Sequence, residues 1–189
     1  MNTKITIPDG VSGDWRVESF EVTEQESKFS MIRAMQHPEE YVLPGKYQRL
    51  MRGGIVVMSD TQMEMNELRP IKYSAKGNVL LNGLGLGVCL RIVLQKPEVL
   101  NVTVIEKSLD VINLVGNYFN DSRVSIVNAD AFEWIPPKGV RYDAVWHDIW
   151  DDMCSDNLKE MTQLKRKYGR KSDWQGCWSE SFLRYRCRM

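Results

Sequence analysis

The second half of the chain alternates short apolar strands with helices, and this order of elements constrains the fold more than any other feature. From Asn78 onward, the segments NVLLNG, NVTVIE, RVSIVN and YDAVWHDI each predict a buried strand. Between them, LGVCLRIVLQ and SLDVINLVGNYF predict helices, and ADAFEW predicts a short third helix. Strands joined by helices of this length need right-handed crossovers, so the pattern predicts an α/β fold with a doubly wound, mainly parallel sheet.

A mixed segment of strands and a helix precedes this pattern. Alternation of polar and apolar residues predicts a strand near Trp15–Val22. Thr23 and Glu26 then have the S/T-x-x-E spacing that satisfies the first amides of a helix. We expect that helix to run to about Gln36 and to stop at His37-Pro38, because proline disfavours helical geometry in the residue before it.

A hairpin and a short helix complete this first part. The strand-like segments KYQRLM and IVVMS flank Arg52-Gly53-Gly54, whose glycines suit a tight turn. A helix from about Thr61 to Arg69 should follow, capped by Ser59 or Asp60 and ended by Pro70.

The chain divides into three parts by pattern and by charge. Residues 1–77 form the strand, helix and hairpin lead-in, 78–152 carry the alternating core, and 153–189 form a basic, tryptophan-containing tail that we expect to be helical and packed on the core. Residues 101–157 carry 4 basic and 10 acidic side chains, whereas 158–189 carry 9 basic and 3 acidic ones. An acidic middle of this kind favours either a solvated surface or a site for a cationic substrate.

Composition excludes several classes of protein. With 43% hydrophobic residues, 26% charged residues and a formal net charge of +0, the chain is typical of a folded domain and not of a disordered one. No segment approaches the roughly 20 apolar residues of a membrane helix, and MNTKITIPDG does not resemble an export signal. We therefore expect a cytoplasmic protein without a membrane partner.

The four cysteines form no CxxC pair and no histidine lies at metal-ligand spacing, so we expect reduced thiols and rank a structural zinc site below them.

The chemically informative residues fall at the ends of successive predicted strands. Gly83-Leu84-Gly85-Leu86-Gly87 lies between the first strand and its helix, where glycines allow a tight turn and close approach of a ligand. Glu106 ends the second strand, where a carboxylate can accept both hydroxyls of a ribose. Asp130 follows the third strand and Asp148 ends the fourth. Because ligands of open α/β sheets bind at the carboxyl ends of strands, these residues predict a nucleotide-binding site.

The segments VLLNGLGLG, VTVIEKS, VNADAFEW and YDAVWHDIW resemble, in this order, the motifs of class I S-adenosylmethionine-dependent methyltransferases over about residues 78–152. The GxGxG form favours that resemblance over the GxGxxG of nicotinamide enzymes. The resemblance implies a Rossmann-like sheet, S-adenosyl-L-methionine as cofactor, S-adenosyl-L-homocysteine as product, and no metal.

Seven positions match the cofactor-binding motifs of that family: Gly83, Gly85, Gly87, Glu106, Asp130, Ala131 and Phe132. The resemblance implies that the glycines bound the methionine part of the cofactor and that Glu106 holds the ribose. It implies that Asp130 and Ala131 meet the adenine edge. The Phe132 ring would either pack on the adenine or lie in the hydrophobic core, and we give these two alternatives equal weight.

Two branches of the superfamily look closest. The run LMRGGIVVMSDTQMEMNE is similar to the hairpin-plus-helix lead-in of spermidine synthases and of guanidinoacetate methyltransferases. Asp148-Ile149-Trp150-Asp151 matches the D-x-x-D of aminopropyltransferases, in which the first acid receives the attacking amine. We therefore expect Asp148 to orient and deprotonate the attacking nitrogen, with Asp151 as a second anchor. A solvated surface position is an equally weighted alternative for Asp151 and Asp152. The chain departs from aminopropyltransferases at Met65-Asn66, where they carry Tyr-His, and at Asp152, where they carry proline.

Three hypotheses about function follow. The first is a methyltransferase acting on a small, cationic, nitrogen-containing acceptor. The second is a spermidine synthase-like aminopropyltransferase that uses decarboxylated S-adenosylmethionine. The third is a cofactor-binding or regulatory subunit without turnover, because few residues follow Trp150 where full members of the superfamily generally add three more strands.

Two expectations concern partners. A sheet that lacks its last strands would expose an edge, which favours pairing of two copies in a homodimer. The basic tail interleaves cations with Trp174, Trp178 and Tyr185, a pattern that can stack on nucleic acid. We rank nucleic-acid binding below packing of this tail on its own domain.

Overall fold

The computed structural model describes residues 6–34 and 41–187, in which the first part of the chain forms an antiparallel sheet of four strands in the order β1-β2-β3-β4. Its elements are β1 Gly10–Ser12, β2 Trp15–Val22, α1 Glu24–Ala34, β3 Gly45–Arg52 and β4 Ile55–Ser59. The predicted strand at Trp15–Val22 and the hairpin around Gly53 and Gly54 are confirmed.

Helix α1 begins with the predicted capping pair. The Thr23 hydroxyl accepts from the Glu26 amide at 3.2 Å, and the Glu26 carboxylate accepts from the Thr23 amide at 2.8 Å. The expected end of this helix near Gln36 and the stop at His37-Pro38 lie outside the described residues.

The second part of the chain forms a five-stranded parallel sheet in the order β7-β6-β5-β8-β9. This topology confirms the predicted α/β fold with a doubly wound parallel sheet. Its elements are α2 Gln62–Glu67, α3 Arg69–Ser74, β5 Gly77–Asn82, α4 Val88–Leu94, β6 Val99–Glu106, α5 Leu109–Val115, β7 Val124–Asn128, β8 Tyr142–His147, α6 Asn157–Tyr168, β9 Ser172–Cys177 and α7 Glu180–Arg186.

Apolar side chains cover both faces of this sheet, as a parallel sheet requires. Alternate residues of β5 belong to different clusters, since Val79 and Leu81 pack with helices α3 and α4 on one side and Leu80 packs with α6 on the other. All three side chains are almost fully buried. The sheet is therefore a rigid frame whose strand ends can hold functional groups in fixed positions.

Two short segments differ from expectation. The segment ADAFEW forms a turn instead of a helix, because the backbone carbonyl of Asp130 accepts from the amides of both Glu133 and Trp134 and no further helical turn follows. Pro70 does not end the helix from Thr61; it lies in the first turn of a new helix, α3, where its missing N–H has no structural cost.

The tail differs from the predicted helical segment, because β9 lies between its two helices and extends the sheet beside β8. The segment SDWQGC has little apolar content, and it forms a strand because the buried edge of β8 supplies its backbone partners. Trp174 of β9 stacks on Trp146 of β8, with ring centroids 6.3 Å apart and planes 1° from parallel. The predicted homodimer stays a prediction.

Several tail cations contact their own domain. Lys165 and Arg184 both pair with Glu180, Arg186 lies over the Phe182 ring, and Lys171 donates to the carbonyl of Pro136. The contact of Lys171 with Pro136 joins the tail to the core, as the packing interpretation expects, and the other three contacts lie within the tail.

Substitution of Gly176 should destabilise the protein. An added Cβ would lie 2.6 Å from the Trp174 ring and 2.7 Å from the Trp146 ring, so the stacked pair would have to separate. We expect Gly176→Ala to lower the free energy of unfolding by about 1–3 kcal/mol in urea denaturation. Gly169→Ala is the control, because its nearest neighbour would be 3.9 Å away and its backbone is helical. Equal stability of the two variants would contradict the packing described for β9.

Candidate functional site

A cavity of about 590 Å³ opens at the carboxyl ends of the parallel strands, in the size range of small-molecule sites. Both parts of the chain line it: Trp15, Leu50 and Met58 come from the antiparallel sheet, and the glycine turn and strand ends come from the parallel one. Among the described residues, its ionisable lining is mostly acidic, with two basic residues, Arg52 and Lys107, and eight acidic ones, Asp14, Glu64, Glu106, Asp110, Asp130, Asp148, Asp151 and Glu160. This excess of carboxylates favours a cationic ligand.

The glycine turn follows β5 directly and forms one wall of the cavity. Gly83 has a φ of +102°, and a side chain there would overlap the backbone carbonyl of Asp148. Gly83 and Gly85 line the cavity, whereas Gly87 packs against the Phe119 ring and does not line it. The structure therefore brings Gly83 and Gly85 to the site. Gly87 precedes helix α4 and allows it to pack closely against Phe119.

Glu106 lies at the end of β6, and its carboxylate holds the glycine turn. One oxygen accepts from the Leu84 amide at 2.9 Å and the other from the Ser108 amide at 2.8 Å. Burial raises the pKa of Glu106, and these amide hydrogen bonds oppose the rise. Because each carboxylate oxygen has a second lone pair, Glu106 can still accept from a ligand hydroxyl in the cavity.

Asp130, Ala131 and Phe132 occupy the turn after β7, and all three line the cavity. Asp130 accepts from the Phe132 amide at 2.8 Å and pairs with Lys107 at 2.8 Å. The hydrogen bond from Lys107 is the largest cause that lowers the pKa of Asp130. Phe132 is half-buried and also packs on the core, so both roles expected for its ring remain in agreement with its position.

Asp148 follows β8 and lies next to the glycine turn, where its amide donates to the carbonyl of Asn82 at 2.8 Å. Burial raises the pKa of Asp148 to about 7, and the negative charge of Glu67 adds to the rise. A carboxyl group with this pKa can change protonation state near neutral pH, which suits a group that exchanges a proton with an amine.

Glu64 on α2 is an acidic residue of the site that the sequence motifs did not identify. Burial raises the pKa of Glu64 to about 7, and the negative charge of Asp148 is the next cause. Both carboxyl groups line the cavity, one from the lead-in and one from the end of a parallel strand. Its signal in the sequence was the helical spacing of the lead-in segment, which did not indicate which face meets the cavity.

Asp151, the second expected anchor, forms a salt bridge with Arg52 of β3, with 3.3 Å between Nη1 and Oδ2. Both side chains are about half exposed, so the bridge contributes little stability. The Arg52 guanidinium also lies 5.4 Å from the centroid of the Trp15 ring. The hairpin therefore covers one side of the cavity through Arg52.

Two further neighbours complete the site. Trp178, between β9 and α7, lines the cavity, and the Ser179 hydroxyl donates to Glu67 at 3.1 Å. His147, the last residue of β8, is fully buried and lies between Asn82 at 2.8 Å and Gln175 at 3.0 Å. Burial lowers the pKa of His147 to about 4, so it is neutral at physiological pH.

Across residues 6–34 and 41–187, none of the helices has the length and apolar content needed to cross a membrane. Within the same part of the chain, no three His, Cys, Asp or Glu side chains are grouped to hold a metal ion.

Comparison with solved structures gives a spermidine synthase from Thermotoga maritima with a TM-score of 0.52 and 20% identity, over 85% of this chain and 52% of that one. The chain has the Rossmann-like fold of that enzyme. The predicted resemblance to S-adenosylmethionine-dependent transferases is confirmed at the level of the fold. An N-methyltransferase, NodS from Bradyrhizobium japonicum, aligns with a TM-score of 0.44 and 15% identity over 58% of this chain and 60% of its own.

Comparison with curated proteins gives polyamine aminopropyltransferase 1 from Streptomyces coelicolor, 33% identical over 94 residues. The match covers 44% of this chain and 18% of that protein. The chain thus spans about half the length of the spermidine synthase, and its match spans less than a fifth of the curated relative. No protein-family model matches the chain.

The raised pKa of Asp148 predicts a pH-dependent stability. Because the native pKa of about 7 exceeds the ordinary 3.8, the native state keeps a proton that the unfolded chain has lost between these pH values. Stability from this group therefore falls as pH rises through that window. We expect Asp148→Asn to have a higher Tm than the wild type at about pH 8 and a smaller advantage at about pH 4.

Thermal denaturation followed by circular dichroism measures this difference. Asp152→Asn is the control for the substitution itself, because Asp152 is exposed and does not line the cavity. A constant difference between Asp148→Asn and the wild type at both pH values would contradict the burial of Asp148.

Proposed function

We propose that the protein is an S-adenosylmethionine-dependent methyltransferase that acts on a small, cationic, nitrogen-containing acceptor. One observation carries the proposal: Asp148, with a pKa of about 7, lies against the glycine turn in a cavity rich in carboxylates. The fold shared with spermidine synthase supports transferase chemistry of this general kind.

The cavity suits a sulfonium nucleoside. Its volume of about 590 Å³ accommodates a ligand of that size. Glu106 can accept the ribose hydroxyls, and Asp130 with Ala131 can meet the adenine edge, because all three line one side of the cavity. Gly83 and Gly85 lie on the side nearest Asp148, where the methionine part would lie. Met58 covers this stretch, since its sulfur accepts from the Leu86 amide at 3.3 Å.

The residues of the chain then have separate roles in transfer. When bound, S-adenosylmethionine would supply a methyl carbon on a positively charged sulfur, which takes the C–S electron pair as the new C–N bond forms. Asp148 orients the acceptor nitrogen and takes the proton that this nitrogen loses. The sulfonium carbon needs no additional activation, so the main remaining contribution of the protein is positioning. Asp148 and the walls of the cavity hold the acceptor nitrogen in place for attack, which lowers the barrier.

The acidic lining supports a cationic acceptor. Glu64 and Asp148 approach the same region from opposite parts of the chain, so a bound ammonium or similar cation would relieve their mutual repulsion. Asp151 can serve as a second anchor if Arg52 moves, because their half-exposed salt bridge is weak. A catalytically inert regulatory subunit has no evident use for this arrangement of carboxyl groups.

Aminopropyl transfer from decarboxylated S-adenosylmethionine is the second candidate. In the described part of the chain, both cations that line the cavity are paired, Arg52 with Asp151 and Lys107 with Asp130. A decarboxylated donor lacks the methionine carboxylate that would otherwise need a cationic partner in this acidic lining. The local similarity to a polyamine aminopropyltransferase agrees with this alternative.

One experiment separates the candidates. Purified protein is incubated with either donor and a panel of amines and guanidines, and the acceptors are analysed by mass spectrometry. Methyl transfer from S-adenosylmethionine supports the first candidate, and aminopropyl transfer with release of methylthioadenosine supports the second. Absence of transfer from both donors, with no binding of S-adenosylhomocysteine or methylthioadenosine by calorimetry, would contradict both.

Substitution of Asp148 should remove transfer and spare cofactor binding. We expect Asp148→Asn to reduce the transfer rate by on the order of 10²–10⁴-fold, because a positioned base contributes that much. The wild-type rate should rise with pH and level off above about 7, as Asp148 ionises. Asp152→Asn is the matched control and should keep the wild-type rate. Unaltered transfer by Asp148→Asn would rule out the role assigned to this carboxyl group.

A further inference from the structure

The last two residues of α6 donate hydrogen bonds to the backbone of the turn from Asp130 to Phe132. The Lys167 ammonium donates to the carbonyl of Ala131 at 3.0 Å and to that of Phe132 at 2.6 Å. The Tyr168 hydroxyl donates to the same Ala131 carbonyl at 2.9 Å. Two consecutive carbonyls of the turn are thus bound by side chains that lie about 35 residues further along the chain.

These contacts complement the hydrogen bonds within the turn itself. The Asp130 carboxylate accepts from the Phe132 amide, and the Asp130 carbonyl accepts from the amides of Glu133 and Trp134. The turn has no helical continuation, so the carbonyls of Ala131 and Phe132 depend on α6 for their partners. Asp130, Ala131 and Phe132 meanwhile line the cavity. Lys167 and Tyr168 therefore fix the face of the turn opposite the cavity.

The charge of Lys167 also acts on the turn. Lys167 is half-buried and its ammonium lies 5.5 Å from the centroid of the Tyr168 ring. Burial lowers the pKa of Lys167, and the negative charge of Asp130 opposes that change. Hydrogen bonds from a charged donor are stronger than neutral ones, particularly where water is partly excluded. The ammonium thus stabilises both the turn and the ionised form of Asp130.

Lys171 provides a comparison within the same segment. It also donates to a backbone carbonyl, that of Pro136, but at 3.3 Å and beyond the residues that line the cavity. Removal of the Lys171 cation should leave the turn from Asp130 to Phe132 in place.

We propose that Lys167, with Tyr168, is a positioning residue that holds the turn from Asp130 to Phe132 so that its cavity face recognises an adenine base. The inference rests on the proposed function, because it concerns the nucleoside part of that cofactor. The basic tail, through α6, thereby contributes to the recognition of a small-molecule base. An ionised Asp130 accepts a hydrogen bond from an exocyclic amino group, as in adenine, and is mismatched to the exocyclic oxygen of hypoxanthine.

The test compares Lys167→Met with Tyr168→Phe, Lys167→Arg and the control Lys171→Met. Amide hydrogen exchange of residues 132–134 is measured without ligand, and calorimetry gives the affinities for S-adenosylhomocysteine, adenosine and inosine. We expect Lys167→Met to speed exchange in the turn, to weaken S-adenosylhomocysteine binding by about tenfold or more, and to reduce the preference for adenosine over inosine. Tyr168→Phe should have a smaller effect, Lys167→Arg should restore most of the affinity, and Lys171→Met should match the wild type.

The outcomes separate the two proposals. If the wild type binds none of the three ligands, the proposed function itself fails. A second outcome is that the wild type binds the ligands and that both Lys167→Met and Tyr168→Phe keep the wild-type affinities and base preference. This outcome overturns the positioning role, even if amide exchange in the turn becomes faster. If Lys167→Met does not unfold cooperatively, Tyr168→Phe decides alone, since it keeps the buried ring and loses the hydroxyl that donates to Ala131.

Discussion

The close approach of β5 and β8 at their carboxyl ends is the constraint on which the site depends. The glycine turn at Gly83 and the backbone of Asp148 are so close that no side chain fits between them. The Asn82 carbonyl accepts from the Asp148 amide, and the buried His147 joins β5 to β9 through Asn82 and Gln175. Because this frame is rigid, the Asp148 carboxyl group is held in a partly desolvated position, where its pKa rises toward neutrality.

Residues at the strand ends could be predicted from the sequence because their positions follow from local patterns. A buried apolar run fixes where a strand ends, and all parallel strands end at the same edge of the sheet. The positions of Glu106, Asp130 and Asp148 beside one cavity follow from that rule. This rule does not distinguish a glycine that lines the cavity from one that packs on another side chain. The position of Gly87 against Phe119, away from the cavity, could therefore be learned only from the structure.

Other parts of the site depend on contacts between distant segments and have no local signal. Glu64 reaches the cavity from α2 of the lead-in, and Arg52 reaches Asp151 from the hairpin strand β3. Strand β9 forms from a mostly polar segment because β8 offers a buried edge and because Trp146 offers a ring for Trp174. Lys167 looked like one cation in a basic run, and its role depends on the two carbonyls that it meets.

A crystal structure of the protein with S-adenosylhomocysteine tests the central claim most directly. The account predicts ribose hydroxyls within hydrogen-bonding distance of the Glu106 carboxylate and the adenine base beside Asp130 and Ala131. It predicts that the sulfur lies toward Asp148 and Glu64, with room left for an acceptor between these carboxyl groups. A nucleoside bound outside this cavity, or bound in it with the sulfur directed away from Asp148, would contradict the account.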